Sequence, residues 1–102
     1  MNITEDLIPL ATPGEILREE YLEPMDLTQR EVSRATGIPY TRFNEIIRGQ
    51  RRISAEYSMR LGRYFGQNPR FWLNIQADND LRLAELERGE AVIREVEPLA
   101  VA

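Results

Sequence analysis

Apolar residues recur at the three- and four-residue spacing of α-helices along most of the chain, between residues that start and stop helices. The stretch TPGE at residues 12–15 predicts the start of a first helix, with a capping threonine, a proline at the first helical position and a capping-box glutamate. We predict that this helix runs to about Leu22, because Pro24 cannot continue it.

Two shorter helices are predicted next, separated by a tight turn at residues 37–39. The stretch TQRE at residues 28–31 is a second capping box, and the helix that it opens ends at the turn. Val32 and Ala35 are expected to face inward from this helix. The third helix is predicted over residues 39–48, with phenylalanine and isoleucine on its apolar side.

A fourth helix is predicted over residues 54–66, and a fifth over residues 68–88, where Gly89 ends it. The residues that follow are apolar with some alternation, which is typical of a short strand or an unpaired arm. The predicted fold is all-α, with five helices and short connections. The predicted division is an N-terminal arm at 1–11, a helix-turn-helix domain at 12–88 and a C-terminal tail at 89–102.

The composition allows one domain and removes the usual chemistry of enzymes. The 102 residues suffice for one modest core. The chain has no cysteine and no histidine, so it lacks thiolates, imidazole bases and the commonest metal ligands. We therefore predict no enzymatic activity, no metal site and no cofactor. No apolar run is long enough for a signal peptide or a membrane span, so we predict a cytoplasmic protein without membrane contact.

Formal charge is distributed unevenly along the chain. The whole chain carries −4, yet residues 28–72 hold nine arginines and three acids, a net charge of +6. Residues 1–27 hold one arginine and seven acids, and residues 73–102 hold three arginines and seven acids. Because a local positive surface can bind a polyanion, the middle segment permits nucleic-acid binding, while the acidic flanks suit a basic protein partner.

The second and third predicted helices form a helix-turn-helix pattern around the glycine of the turn. In such a unit the second helix enters the major groove of DNA with its N-terminal residues at the base edges, and the first helix crosses the backbone. A cluster of arginines lies on and just after this second helix, where phosphates would pass. The predicted DNA-binding residues are Gln29, Pro39, Tyr40, Thr41, Arg42, Asn44, Glu45, Arg48, Arg51 and Arg52.

Several of these residues have more than one possible role. Arg42 suits a base or a phosphate, since a guanidinium can donate two hydrogen bonds to a guanine edge. Glu45 either accepts from a cytosine amino group or pairs with Arg42 or Arg48, and Tyr40 either contacts a thymine methyl or shields the turn. Gln29 suits a phosphate contact. The expected phosphate anchors are Arg48, Arg51 and Arg52. The structural alternative for the whole segment is a helical hairpin with a solvated arginine face.

Two further motifs also have a functional and a structural interpretation. The stretch FWLN at residues 71–74 would suit an aromatic binding site, but on a helix such aromatics are more often core. Asp78 and Asp80 suggest a metal pair, but residues two apart on a helix do not face each other, so a solvated or capping role is favoured. Asn79 lies on the apolar stripe of the fifth helix, where it fixes a register or indicates a more exposed stripe.

Three segments of the chain resemble the HigA-type antitoxins, within the Xre-like helix-turn-helix group that includes the lambda-type phage repressors. They are PGEILREEYLEP at 13–24, LTQREVSRATGIPYTRFNEIIRGQRRIS at 27–54 and RLGRYFGQNPRFWLNIQADNDLRLA at 60–84. The opening of the first and the FWLNIQADNDL stretch of the third are the specific parts. The resemblance implies a lambda-repressor-like fold. It places Pro39, Tyr40, Thr41 and Glu45 on base-reading positions, and Gln29, Arg42 and Arg48 on backbone or mixed positions.

The resemblance also implies partners. Such proteins are expected to be homodimers that bind a palindromic operator in their own promoter and neutralise a HigB-type toxin, an mRNA-cleaving enzyme of the RelE-like fold. We predict that the fifth helix and the apolar tail form the dimer surface. Two alternatives stay open: a stand-alone phage-type repressor, and a protein-interaction module whose helix-turn-helix does not touch DNA.

Overall fold

The capping residues begin three of the five helices in the computed structural model, which describes residues 10–100. Thr12, Thr28 and Ser54 each accept, through the side-chain oxygen, a hydrogen bond of 3.1 Å from the backbone N–H three residues further on. Each bond satisfies a donor that the first turn of a helix leaves unpaired, a contribution of about 1 kcal/mol.

The helices follow one another in the predicted order, and no strand is present in the described part of the chain, so the all-α prediction is confirmed. Helix α1 is Pro13–Ile16 and continues as a π-helical segment, Leu17–Leu22; α2 is Gln29–Thr36, α3 is Tyr40–Ile47, α4 is Ala55–Phe65 and α5 is Phe71–Glu95. Residues 1–9 of the predicted N-terminal arm lie outside the described residues.

One apolar core joins the five helices. Leu17, Val32, Phe43, Leu61 and Trp72, one from each helix, are completely buried. Burying such side chains stabilises the fold by roughly 1.5–3 kcal/mol each. The indole of the tryptophan is the centre of an aromatic cluster between α1, α4 and α5. The core interpretation of the FWLN stretch is therefore confirmed.

The predicted end of the fifth helix at Gly89 is wrong, because α5 continues to Glu95. A glycine inside a helix costs about 1 kcal/mol relative to alanine. The residues after Gly89 are compatible with a helix, so α5 continues in spite of this cost. The helix ends at Glu95, and Val96 after it has an extended backbone, two residues before Pro98. The first seven residues of the predicted tail are thus helical rather than a strand or an unpaired arm, and α5 crosses the predicted 88/89 boundary.

The apolar stripe of α5 is divided at Asn79. Before this residue Trp72 is in the core, whereas after it Leu83 is 40% exposed and Leu81 is 63% exposed. Asn79 is itself buried, and its Oδ1 accepts no hydrogen bond within the described residues. The second half of α5 is therefore more exposed than a core helix, as one of the two interpretations of Asn79 expected.

Candidate nucleic-acid interface

The turn between α2 and α3 is held by polar contacts on several sides. Gly37 has the left-handed conformation, with φ of 77°, which favours glycine. The hydroxyl of Ser33 donates to the carbonyl of Ile38, and the guanidinium of Arg60 on α4 donates to the carbonyl of Thr36 at 2.9 Å. These contacts fix the angle between the two helices, which determines where α3 points.

The expectation that Ala35 faces inward is wrong, since Ala35 is exposed and Thr36 is buried in its place. The Thr36 hydroxyl donates to the carbonyl of Val32 at 2.7 Å and accepts from the N–H of Ile38 at 3.3 Å. A buried hydroxyl needs such partners, because an unpaired one costs roughly 1–3 kcal/mol. The hydroxyl thereby joins the end of α2 to the turn.

Three of the four predicted base-reading residues lie on the surface at the start of α3, together with Arg42, and the fourth, Glu45, is half-buried further along the helix. Pro39, Tyr40, Thr41 and Arg42 are all exposed, and no side chain caps the helix at this end. The guanidinium of Arg30 lies over the Tyr40 ring, 4.4 Å from its centroid, in a cation–π contact. Sequence reasoning missed Arg30, because its position on α2 relative to α3 depends on the crossing of the two helices.

Two predicted residues, Gln29 and Asn44, form a hydrogen bond across the helix-turn-helix. The Asn44 side-chain amide donates to Oε1 of Gln29 at 3.0 Å. Both side chains are half-buried. Because the Gln29 oxygen is used in this way, its NH₂ group stays available as a donor at the start of α2. A donor at this position is suited to a phosphate oxygen.

Arg42 has a partner on α4 that sequence reasoning missed. Its Nη1 donates to the hydroxyl of Tyr57 at 3.1 Å, and this hydrogen bond raises the pKa of the guanidinium above its ordinary value. The side chain is exposed, and its remaining N–H groups face solvent. Tyr57 therefore orients Arg42 without using all five of its donors.

The arginines after α3 differ in their pairing. The Nε of Arg51 donates to Glu45 at 2.9 Å. Glu45 therefore pairs with Arg51, and not with Arg42 or Arg48, the partners that one of its two interpretations gave it. Arg52 forms two hydrogen bonds with Asp80 on α5, of 3.0 and 2.6 Å. These bonds lower the pKa of Asp80 and raise that of Arg52.

These ion pairs bear on the predicted roles of Asp80 and Arg48. Asp80 forms an ion pair with Arg52, and its side chain is 43% exposed, so it is also solvated as expected. Within residues 10–100, no carboxylate pairs with the exposed Arg48 at the C-terminal end of α3. Of the three predicted phosphate anchors, Arg48 is thus the one whose charge is not offset by a neighbouring acid.

The described residues contain no group of three or more acidic side chains arranged to hold a metal ion. Within the same residues, 10–100, no helix is both long enough and apolar enough to span a membrane.

Fold and site together define a helix-turn-helix protein of the DNA-binding class, and a model of the helix-turn-helix family matches residues 19–72. Virulence-associated protein I of Dichelobacter nodosus is 47% identical over 81 residues, which are 79% of this chain and 75% of that protein. The Pseudomonas aeruginosa protein PA4674, solved in complex with its 18-base-pair operator DNA, is 39% identical with a TM-score of 0.85, over 93% of this chain and 99% of that one.

The antitoxin HigA of Pseudomonas aeruginosa, solved with the higBA promoter, is 40% identical with a TM-score of 0.81. The similarity covers 91% of this chain and all of that one. The chain belongs to the HigA antitoxin family of helix-turn-helix proteins.

Proposed function

We propose that this protein is a DNA-binding antitoxin that represses its own operon as a homodimer and neutralises a HigB-type mRNA-cleaving toxin. It acts in the cytoplasm as a regulator rather than as an enzyme, without a cofactor. The observation that carries the DNA-binding part is the exposed surface at the start of α3, formed by Pro39, Tyr40, Thr41 and Arg42, on a helix that is bonded to Gln29 of α2 through Asn44. The relatives solved with operator or promoter DNA support the same assignment.

The proposed interface divides into reading and anchoring groups. Pro39, Tyr40, Thr41 and Arg42 stand where a recognition helix meets base edges, and Glu45 lies further along it, paired with Arg51. Contacts to base edges carry sequence information, whereas contacts to phosphates position the protein. The positioning group comprises Gln29, with Asn44 behind it, Arg48 and Arg51. Arg52 lies beside them, but both of its Nη groups donate to Asp80.

Binding titrations test the DNA-binding proposal. The protein is titrated with the promoter DNA of its own operon and with scrambled DNA of equal length, at several salt concentrations. We expect tighter binding to the promoter and a linear fall of log K with log salt. Equal binding to both DNAs would contradict specific operator recognition, and no binding to either would favour the protein-interaction module.

The second half of α5 is the proposed dimer surface. Leu81, Val92, Ile93 and Val96 are each more than half exposed, and the surface here includes a cavity of about 330 Å³. Exposed apolar patches of this kind mark association sites. A homodimer would present two α3 helices to half-sites about 34 Å apart, as a palindromic operator requires.

The acidic surface of α1 is proposed to attract the toxin. Glu15, Glu19, Glu20 and Glu23 are all exposed, and an RNA-handling toxin has to present a basic surface. Arg18 pairs with Glu19 and Glu23, at 3.0 and 3.9 Å. Glu15 and Glu20 have no ion pair among residues 10–100. These two therefore contribute the least compensated charge of the group.

Association kinetics with the purified toxin test the proposed role of the acidic surface of α1. Reversing the charge of Glu15 and Glu20 is expected to slow association at low salt, because charges at the rim of an interface act mainly on the association rate. A second variant reverses Glu85 and Glu87 on α5, the other acidic flank, which is the alternative surface for the toxin. An unchanged association rate for both pairs would contradict electrostatic attraction.

An mRNA-cleavage assay tests the antitoxin role itself. If the protein fails to block cleavage by the toxin encoded beside it, a stand-alone repressor is favoured.

A further inference from the structure

We propose that Asp80 limits the affinity of this protein for DNA of any sequence by keeping the guanidinium of Arg52 from phosphates. The inference rests on the proposed DNA-binding function and assigns a role to a residue outside the helix-turn-helix. Asp80 is a positioning residue in this scheme, since it acts through Arg52 and makes no contact with DNA itself.

Arg52 and Asp80 form an ion pair with two hydrogen bonds. Both guanidinium nitrogens Nη1 and Nη2 of Arg52 donate to the two carboxylate oxygens of Asp80, at 3.0 and 2.6 Å. This two-bond arrangement orients the fork of the guanidinium towards α5. It also cancels the charge of Arg52 locally, at a position just after the proposed recognition helix.

The loop after α3 is held against α5 by contacts other than this ion pair. Gln76, one turn before Asp80, accepts from the N–H of Ile53 at 2.7 Å and donates to the carbonyl of the same residue at 3.0 Å. The Ile53 side chain is buried in the core. Because these contacts already fasten the loop to α5, the main consequence of the Asp80 carboxylate is electrostatic.

Arg52 lies within reach of a phosphate. The side chains of Arg52 and Asp80 are 69% and 43% exposed, so water and ions reach the pair. Each phosphate contact of a cation releases a condensed counterion from DNA, but in the parent that contact first has to break both hydrogen bonds to Asp80. An Arg52 freed from Asp80 would therefore add one contact to every DNA sequence alike. The carboxylate prevents this gain.

The test compares Asp80→Asn with the parent and with Asp78→Asn. Asp78 is exposed on the same helix, and its variant makes the same change in net charge two residues away. We expect Asp80→Asn to bind both scrambled and promoter DNA more tightly, with a slope of log K against log salt steeper by about one. Lowering the salt from about 200 to 50 mM would then strengthen the variant about 3.5-fold more than the parent. Asp78→Asn is expected to keep the parent slope.

A second pair of variants shows whether Arg52 is the cause. In an Arg52→Ala background, adding Asp80→Asn should not steepen the slope, because the released guanidinium is absent. Asp80→Glu, which keeps a carboxylate for Arg52, should behave like the parent. The proposal would be overturned if Asp80→Asn kept the salt slope of the parent. Weaker binding of Asp80→Asn to both DNAs would also overturn it, because the ion pair would then be a structural support. If the parent itself does not bind DNA, the proposed function fails rather than this inference.

Discussion

Gly14 on α1 is the position where the smallest added group should have the largest effect. A Cβ atom at this residue would lie 2.6 Å from the carbonyl oxygen of Ile47 and nearer still to that of Ile46. Both are backbone atoms in the last turn of α3, so neither can rotate away as a side chain would. Gly14→Ala therefore forces α1 and the end of α3 apart.

The size of the effect follows from two opposed terms. Overpacking a close contact costs about 1–3 kcal/mol. The preference of a helix for alanine over glycine returns at most about 1 kcal/mol. At roughly 4–8 °C per kcal/mol for a domain of this size, we expect the melting temperature of Gly14→Ala to fall by several degrees. Binding to promoter DNA should weaken as well, because the displaced carbonyls belong to the proposed recognition helix.

Gly62 and Gly89 provide graded controls, with all variants measured at the same protein concentration. At Gly62 a Cβ would lie 3.0 Å from the carbonyl oxygen of Asn68, so alanine should cost less than at Gly14. At Gly89 the nearest atom would be the Cβ of Glu85, at 3.9 Å, so alanine should raise the melting temperature. Thermal unfolding followed by circular dichroism measures all three. A Gly14→Ala protein as stable as the parent would refute the reasoning.

The remaining predictions concern binding and assembly. Thr41→Ala should relax specificity at one or two operator positions with an unchanged salt slope; uniform weakening on all sequences would make it a phosphate contact. Arg48→Ala should lower the salt slope by about one unit and Arg51→Ala by less, because Glu45 already offsets Arg51; the reverse order in salt titrations would contradict this assignment. Ile93→Asp should shift the parent homodimer towards monomer in light scattering; a monomeric parent at micromolar concentration would disprove the dimer surface.

The beginnings of α1 to α4 could be predicted to within one residue because the signals are local, whereas α5 begins at Phe71, after its predicted start at residue 68. A capping threonine or serine bonds to a backbone N–H three residues away, so Thr12, Thr28 and Ser54 act within one turn of chain. Gly37 is equally local, since its positive φ is a property of one residue. The position of the helix-turn-helix and its positive charge follow from the same short stretch of residues.

The wrong end for α5 shows where local signals stop being sufficient. A glycine near the end of an apolar pattern either stops a helix or is tolerated within it, and the difference is about 1 kcal/mol. At Gly89 the residues after it and Pro98 decided the outcome. The choice between Ala35 and Thr36 as the inward residue is similar, because it depends on a carbonyl and an N–H that the turn brings together.

Partners across the chain were decided by tertiary structure alone. Arg42 meets Tyr57, and Arg52 meets Asp80, at separations of 15 and 28 residues. A sequence shows which charges and donors exist, but which of them pair depends on the angles at which α3, α4 and α5 cross. Those angles follow from the packing of side chains such as Trp72 in the shared core. The sequence by itself therefore indicated a basic helix-turn-helix, and the tertiary structure decided which of its arginines are already held by acids.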